Sequence, residues 1–273
     1  MYENYWKVND KPFENTADAK FYYPSDTHQG ALLKLRYAVE NSTGGALLTG
    51  APGLGKTLVI QSLLRHLPDT VAPRINLVFP KMPTDQLLSS IADELNESRG
   101  DGSSRTTDES VRLIKSALVR NVEEGRRAVL IVDEAHLLAG ERTLDTLRLL
   151  LNFEHQGKPC LTLILAGQPN LLPVLERHPG LEERMAVKCL LRPFSEDETS
   201  SYIQHRFQQA GGNSTVFAQD AIGAIHAISH GVPRKINRLC DLALLIAFAE
   251  EHATITAEQI ESVSDELITV APE

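Results

Sequence analysis

Cysteine is scarce: three residues in 273, at positions 160, 189 and 240. They lie far apart, show no metal-ligand spacing, and each sits in an apolar run. They therefore read as small core side chains in a reducing compartment, not as a disulfide frame, a zinc site or a nucleophile. Long hydrophobic runs are missing too. A membrane-spanning helix needs roughly 18 uninterrupted apolar residues. The most apolar stretch, Leu239 to Ala249, is shorter and is broken by Asp241. Met1-Tyr2-Glu3-Asn4 lacks the basic-then-apolar order of a secretory leader. Positive charge is in deficit, with 27 Lys and Arg against 36 Asp and Glu, a formal −9. That balance argues against a whole-surface nucleic-acid binder and leaves room only for a local basic patch. These absences point to a cytosolic protein with no membrane span. At 42% hydrophobic and 23% charged residues, the chain has globular composition, enough for one large domain or two modest ones.

What is present centres on Gly50-Ala51-Pro52-Gly53-Leu54-Gly55-Lys56-Thr57, which fits the phosphate-loop pattern G-x-x-x-x-G-K-[ST] without mismatch. Ala46 to Thr49 before it reads as a buried strand. Leu58, Ile60, Leu63, Leu64 and Leu67 after it recur at helical spacing. Glycines let the backbone curl so that its N–H groups, with the positive end of the helix, cradle phosphate oxygens. In such a loop Lys56 reaches the β- and γ-phosphates and the Thr57 hydroxyl holds Mg²⁺. The bland reading, a Gly-rich turn that happens to end in Lys-Thr, does not account for the flanking strand and helix.

Ala128-Val129-Leu130-Ile131-Val132-Asp133-Glu134 is an apolar run ending in acid. It predicts a strand buried on both faces that delivers two carboxylates at its C-terminal end, the edge where doubly wound sheets bind ligands. Asp133 is placed to face Mg²⁺, and Glu134 to polarise a water for attack on the γ-phosphate. Leu161 to Ala166 is another buried strand, ending in Gly167-Gln168. If it lies between the two motif-bearing strands, Gln168 comes near the γ-phosphate. With strands at Ile75–Phe79 and Ala186–Leu191, the pattern predicts a five-stranded parallel sheet flanked by helices.

Residues 1–26 are aromatic-rich (Tyr2, Tyr5, Trp6, Phe13, Phe21, Tyr22, Tyr23) and are expected to pack across the core domain, with lining of an adenine pocket as the sharper alternative. Ser25 or Asp26 can cap a following helix. Residues 98–107 read as a surface loop. Residues 27–192 form the expected nucleotide-binding core and 193–273 a small helical domain, its first helix capped by Ser195 and its last opened by Thr256 and Gln259. Gly231-Val232-Pro233-Arg234 starts a helix at its proline. Arg234 there is a candidate phosphate grip, and Arg238 one turn on reads as solvated.

In this order, the motifs resemble the AAA+ ATPases: phosphate loop, strand ending in Asp-Glu, polar residue after the fourth strand, arginine before the fifth, helical lid with Gly-x-Pro-Arg. More narrowly, the chain resembles the ExeA type, also called general secretion pathway protein A. Met1-Tyr2, Pro12-Phe13, Thr16, Asp18, Phe21, Tyr23, Ser25, His28, Ala31-Leu32 and Leu35 carry that likeness, with Gly167-Gln168-Pro169, Leu181-x-x-Arg184 and Gly231-x-Pro233-Arg234-x-x-Asn237-Arg238-Leu239. The resemblance implies ATP or ADP with Mg²⁺ as ligands. It implies Gln168 and Arg234 as first and second sensors, and Arg184 as an arginine finger acting on a neighbouring subunit, with Arg177 the runner-up. It also implies a homo-oligomer and a protein partner in a secretion or envelope complex, with a cytoplasmic location and recruitment to the inner membrane. Members of the type usually continue into a membrane span and a peptidoglycan-binding region. The sequence stops at Glu273 before either, and reads as an excised portion or a free-standing relative. The transposition ATPases of the TniB and TnsC type look similar, which makes duplex DNA the alternative partner, with Lys81 after the second strand as its contact. Asp133-Glu134-Ala135-His136 also spells a helicase box, but there is no room for a second motor domain, so His136 reads as a neighbour of the ATP site.

Overall fold

The computed structural model describes residues 1–16, 18–96, 105–138, 140–212 and 216–269. Most of the loop expected at 98–107 lies outside them. The chain forms two compact units. One comprises Gln29–Ala51 and Val59–Leu191; the other comprises Met1–His28, Pro52–Leu58 and Arg192–Glu273.

The first unit is built on a sheet of β1 (Gly45–Thr49), β2 (Val71–Leu77), β3 (Arg127–Val132), β4 (Leu161–Gly167) and β5 (Met185–Leu190). The strands are parallel, in the order β2-β3-β4-β1-β5. β1 and β4 are buried along their whole length, as continuous apolar runs must be when both faces are covered. β5, at the edge, alternates buried and exposed positions. β4 lies between β3 and β1, which meets the condition for Gln168 to share the edge of the two motif-bearing strands.

Helices α1 (Asp26–Glu40), α2 (Lys56–His66), α3 (Thr84–Leu95), α4 (Thr107–Glu123) and α5 (Gly140–Leu150) follow the expected periodicities. Leu87, Leu88, Ile91, Ile114, Leu118, Leu144 and Leu147 join Leu47, Leu130, Leu163 and Leu165 in one core. Each such leucine contributes roughly 1.5–3 kcal/mol on leaving water. α4 starts with a reciprocal cap: the Thr106 hydroxyl accepts from the Glu109 N–H, and the Glu109 carboxylate accepts from the Thr106 N–H.

One strand differs from expectation. β2 begins at Val71 and stops at Leu77, whereas hydropathy placed it at Ile75–Phe79. Leu77 pairs with Val132, the last residue of β3. No ladder remains for Val78 and Phe79, which are 61% and 69% exposed.

The second unit holds α6 (Glu196–Gln209), α7 (Gln219–Ser229), α8 (Pro233–Ala249) and α9 (Ala257–Thr269). Ser195 and Glu198 form the cap expected for α6, and Pro233 stands in the first turn of α8. Tyr2, Trp6, Phe13 and Phe21 are buried with Phe194, Tyr202, Phe207, Ile236, Leu239 and Leu244 in the helical core. Polar ties hold them there. The Trp6 indole N–H donates to the Leu244 carbonyl at 3.1 Å, and the Tyr2 hydroxyl to Asp241. Arg206, almost wholly buried, donates to the Pro12 and Glu14 carbonyls at 2.6 and 2.8 Å and lies 4.3 Å from the Phe21 ring centroid.

Candidate functional site

Parallel pairing brings the C-terminal ends of the strands to one edge of the sheet unit. Thr49 at the end of β1 pairs with Gly167 at the end of β4. The next residue, Gly50, donates its N–H to the Gly167 carbonyl at 3.2 Å. Asp133 follows β3 and donates its N–H to the Leu77 carbonyl at 2.9 Å. This edge therefore gathers Gly50 and Ala51, the Asp133-Glu134 pair and Gln168.

Asp133 is buried, and its Oδ1 accepts the Glu134 N–H at 2.8 Å. Glu134 adopts left-handed backbone angles, φ 51° and ψ 35°, before a single 3₁₀ turn, Ala135–Leu137. That sharp exit leaves the Asp133 side chain inside and the Glu134 side chain about 40% exposed. His136 stands between Glu134 and Gln168. Its Nδ1 is 3.4 Å from Glu134 Oε2 and 3.4 Å from the Gln168 N–H nitrogen, with the ring side chain only 7% exposed. A Cβ at Gly167 would fall 3.2 Å from the His136 backbone nitrogen and 3.4 Å from its Nδ1, so glycine eases this approach.

Arg184 precedes β5. Its guanidinium donates to the Leu151 carbonyl at 3.4 Å and to Asn152 Oδ1 in its own chain. Arg177 is exposed, with Nε donating to the Pro173 carbonyl at 3.2 Å. Lys81 is exposed on the loop after β2.

The helical unit carries the crown of the phosphate loop. Gly53 and Gly55 have φ +81° and +88°, values that L side chains rarely adopt. A Cβ at Gly53 would lie 2.9 Å from Arg234 Cβ and 3.2 Å from Val232 Cγ1. The Arg234 N–H donates to the Gly53 carbonyl at 3.3 Å, while the Arg234 side chain is exposed, as is Arg238. Lys56, which opens α2, is buried, as is Leu54; Thr57 and Leu58 are half-buried. Sequence reasoning gave His28 no role beyond the family likeness. It is buried, with Nδ1 2.7 Å from Ser25 Oγ and Nε2 2.7 Å from the Leu54 carbonyl. Burial holds its pKa below the ordinary value. The available signal was Ser25-x-x-His28, three apart at a helix start, which puts both on one face.

Gly53, Leu54, His28 and Arg234 meet in the helical unit. Gly50, Asp133, Glu134, His136 and Gln168 share an edge of the sheet unit. The donor chemistry fits a nucleotide with a hard cation. The loop's glycines adopt backbone that only a side-chain-free residue takes easily, and the buried Asp133 at the sheet edge is an oxygen donor of the kind Mg²⁺ takes alongside water and phosphate.

The AAA domain family matches residues 39–175. General secretion pathway protein A of Aeromonas hydrophila is 37% identical over 255 residues, which is 91% of this chain and 45% of that protein. Among solved structures, Cdc6p from Pyrobaculum aerophilum has a TM-score of 0.75 at 20% identity, covering 97% of this chain and 75% of that one. ORC1 of Aeropyrum pernix, solved in complex with DNA, has a TM-score of 0.66 at 19% identity, covering 88% and 65%. At such identities the structural likeness speaks for the fold. The chain spans less than half the length of the secretion-pathway relative.

Proposed function

This chain belongs to the AAA domain family, and from that premise we propose that it binds Mg²⁺-ATP and hydrolyses the β–γ phosphoanhydride as an oligomer. The observation that carries the reading is the sheet edge where Gly50, the Asp133-Glu134 pair and Gln168 end neighbouring parallel strands. Lys56 is the proposed grip on the β- and γ-phosphates. Glu134 is the proposed base that orients a water and takes its proton as the oxygen attacks the γ-phosphorus. Gln168 and Arg234 are proposed to read the γ-phosphate, and Thr57 and Asp133 to hold the cation. When bound, Mg²⁺ supplies charge neutralisation on the phosphate oxygens. Phosphate release measured with Mg²⁺ and with excess EDTA tests the activity. Turnover that requires the cation and is lost in Lys56→Ala supports the reading; turnover unaffected by either removes it.

We assign the process by likeness to the secretion-pathway relative, as ATP-driven assembly of a secretion or envelope complex with a protein partner. The second reading, an ATP-dependent DNA-binding regulator, draws on the exposed Lys81 beside exposed Phe79. Turnover measured with and without duplex DNA at two salt concentrations separates them. Salt-sensitive stimulation favours DNA, and indifference favours the envelope complex.

A further inference from the structure

We infer that His28 is a positioning residue for nucleotide binding, which fixes the crown of the phosphate loop through its Nε2–H bond to the Leu54 carbonyl. The inference rests on the reading of that loop as an ATP site. A carbonyl oxygen can only accept, so at 2.7 Å the His28 Nε2 must carry the proton. A neutral imidazole has one N–H, so Nδ1 is bare and accepts from the Ser25 hydroxyl, also at 2.7 Å. Burial disfavours a second proton on the ring, in keeping with that tautomer. The imidazole is thus held from both ends, with the Phe194 ring 5.5 Å away.

The consequence runs through peptide geometry. In a trans peptide the C=O and the following N–H point in opposite directions. Holding the Leu54 carbonyl on the His28 side turns the Gly55 N–H the other way. The preceding peptide is held alike, by the Arg234 N–H on the Gly53 carbonyl at 3.3 Å, which turns the Leu54 N–H. Two consecutive amides are therefore oriented together by bonds made on their carbonyl sides. Gly55 sits close enough that a Cβ there would lie 3.4 Å from the His28 Nε2. Donors aimed before phosphate arrives need not be ordered by it, and that raises affinity. Arg234 was legible in the Gly-x-Pro-Arg motif; His28 does for the Leu54 carbonyl what the Arg234 N–H does for that of Gly53.

The test uses the full chain and a fluorescent ATP analogue. Gln places its amide nitrogen where His has Nε2, and Asn where His has Nδ1, so the two substitutions separate the bond from the packing. His28→Gln is expected to bind within about threefold of the parent, whereas His28→Asn and His28→Leu weaken binding about tenfold or more, as lost preorganisation predicts. KM for ATP rises with them while kcat at saturation is kept, the signature of lost uniform binding. Ser25→Ala falls between. His28→Leu binding as tightly as the parent overturns the inference, and so does His28→Gln failing as badly as His28→Leu. If the variants do not fold, ¹⁵N shifts of the parent's His28 decide. A protonated Nε2 with bare Nδ1 supports the inference, and the reverse tautomer overturns it. A parent that binds no ATP would sink the proposed function, while the tautomer measurement would still judge the bond.

Discussion

Glu134 occupies backbone angles that a glutamate adopts at a cost of about 1–2 kcal/mol. What that conformation achieves is a turn that keeps Asp133 inside while its neighbour's carboxylate reaches the edge beside His136. Gly53 is the same principle without the strain. Its φ of +81° and the 2.9 Å approach to Arg234 Cβ leave no place for a methyl group. Gly53→Ala is therefore expected to weaken ATP binding by about tenfold or more, since the loop must shift away from Arg234 or abandon its curl. Binding unchanged in an isothermal titration would contradict the cradle geometry. His28 adds a pH dependence. Its folded pKa lies below 6.5 through burial, opposed by the Leu54 bond and by Glu198. The unfolded chain then binds the proton more readily, so stability is present above pH 6.5 and falls as pH drops below it. His205, also depressed by burial, acts in the same direction. Replacing His28 by Gln should flatten some of the fall between pH 7 and 5 in denaturant titrations; an unchanged profile would place the loss elsewhere.

At the scale of elements, the strands and long helices were legible because apolar periodicity is the property that decides them. The place of β4 between β3 and β1, on which the approach of Gln168 is conditional, comes from the pairing and not from the sequence. Hydropathy misplaces β2 because Val78 and Phe79 are apolar but, among the described residues, have no partner strand beyond Val132. Strand ends are set by the neighbour's length, which the segment itself does not encode. The N-terminal aromatics read as a packing segment, but the helical core as their host is not legible in them. The deciding contact, Arg206 to the Pro12 and Glu14 carbonyls, spans nearly 200 residues of sequence and has no local signature. Arg206→Ala leaves two carbonyls without their partner and a void under Phe21, at a cost of about 3 kcal/mol. In a chain of this size that is about 5 °C in melting temperature by calorimetry. Arg206→Lys should recover less than half, because an ammonium lacks the planar fork. A shift under about 2 °C for Arg206→Ala would deny the clamp its role.

For the whole molecule, the proposal requires more than one subunit. Arg184 is held in its own chain by Leu151 and Asn152; as a finger it would exchange those contacts for a neighbour's phosphate. Arg184→Ala should keep ATP affinity and lose most turnover, by about 10³-fold if it acts as fingers do. Mixing it with a Lys56→Ala subunit that retains Arg184 should restore some of the rate. Failure of the mixture would move the role to Arg177 or to neither. Everything proposed for the site turns on the carboxylate leaving β3 driving cleavage of a bound triphosphate. Its most direct test is Glu134→Gln, with ATP affinity and single-turnover phosphate release measured on the same protein. Affinity should stay parental while release slows by about 10²-fold or more. Release at the parental rate would contradict it.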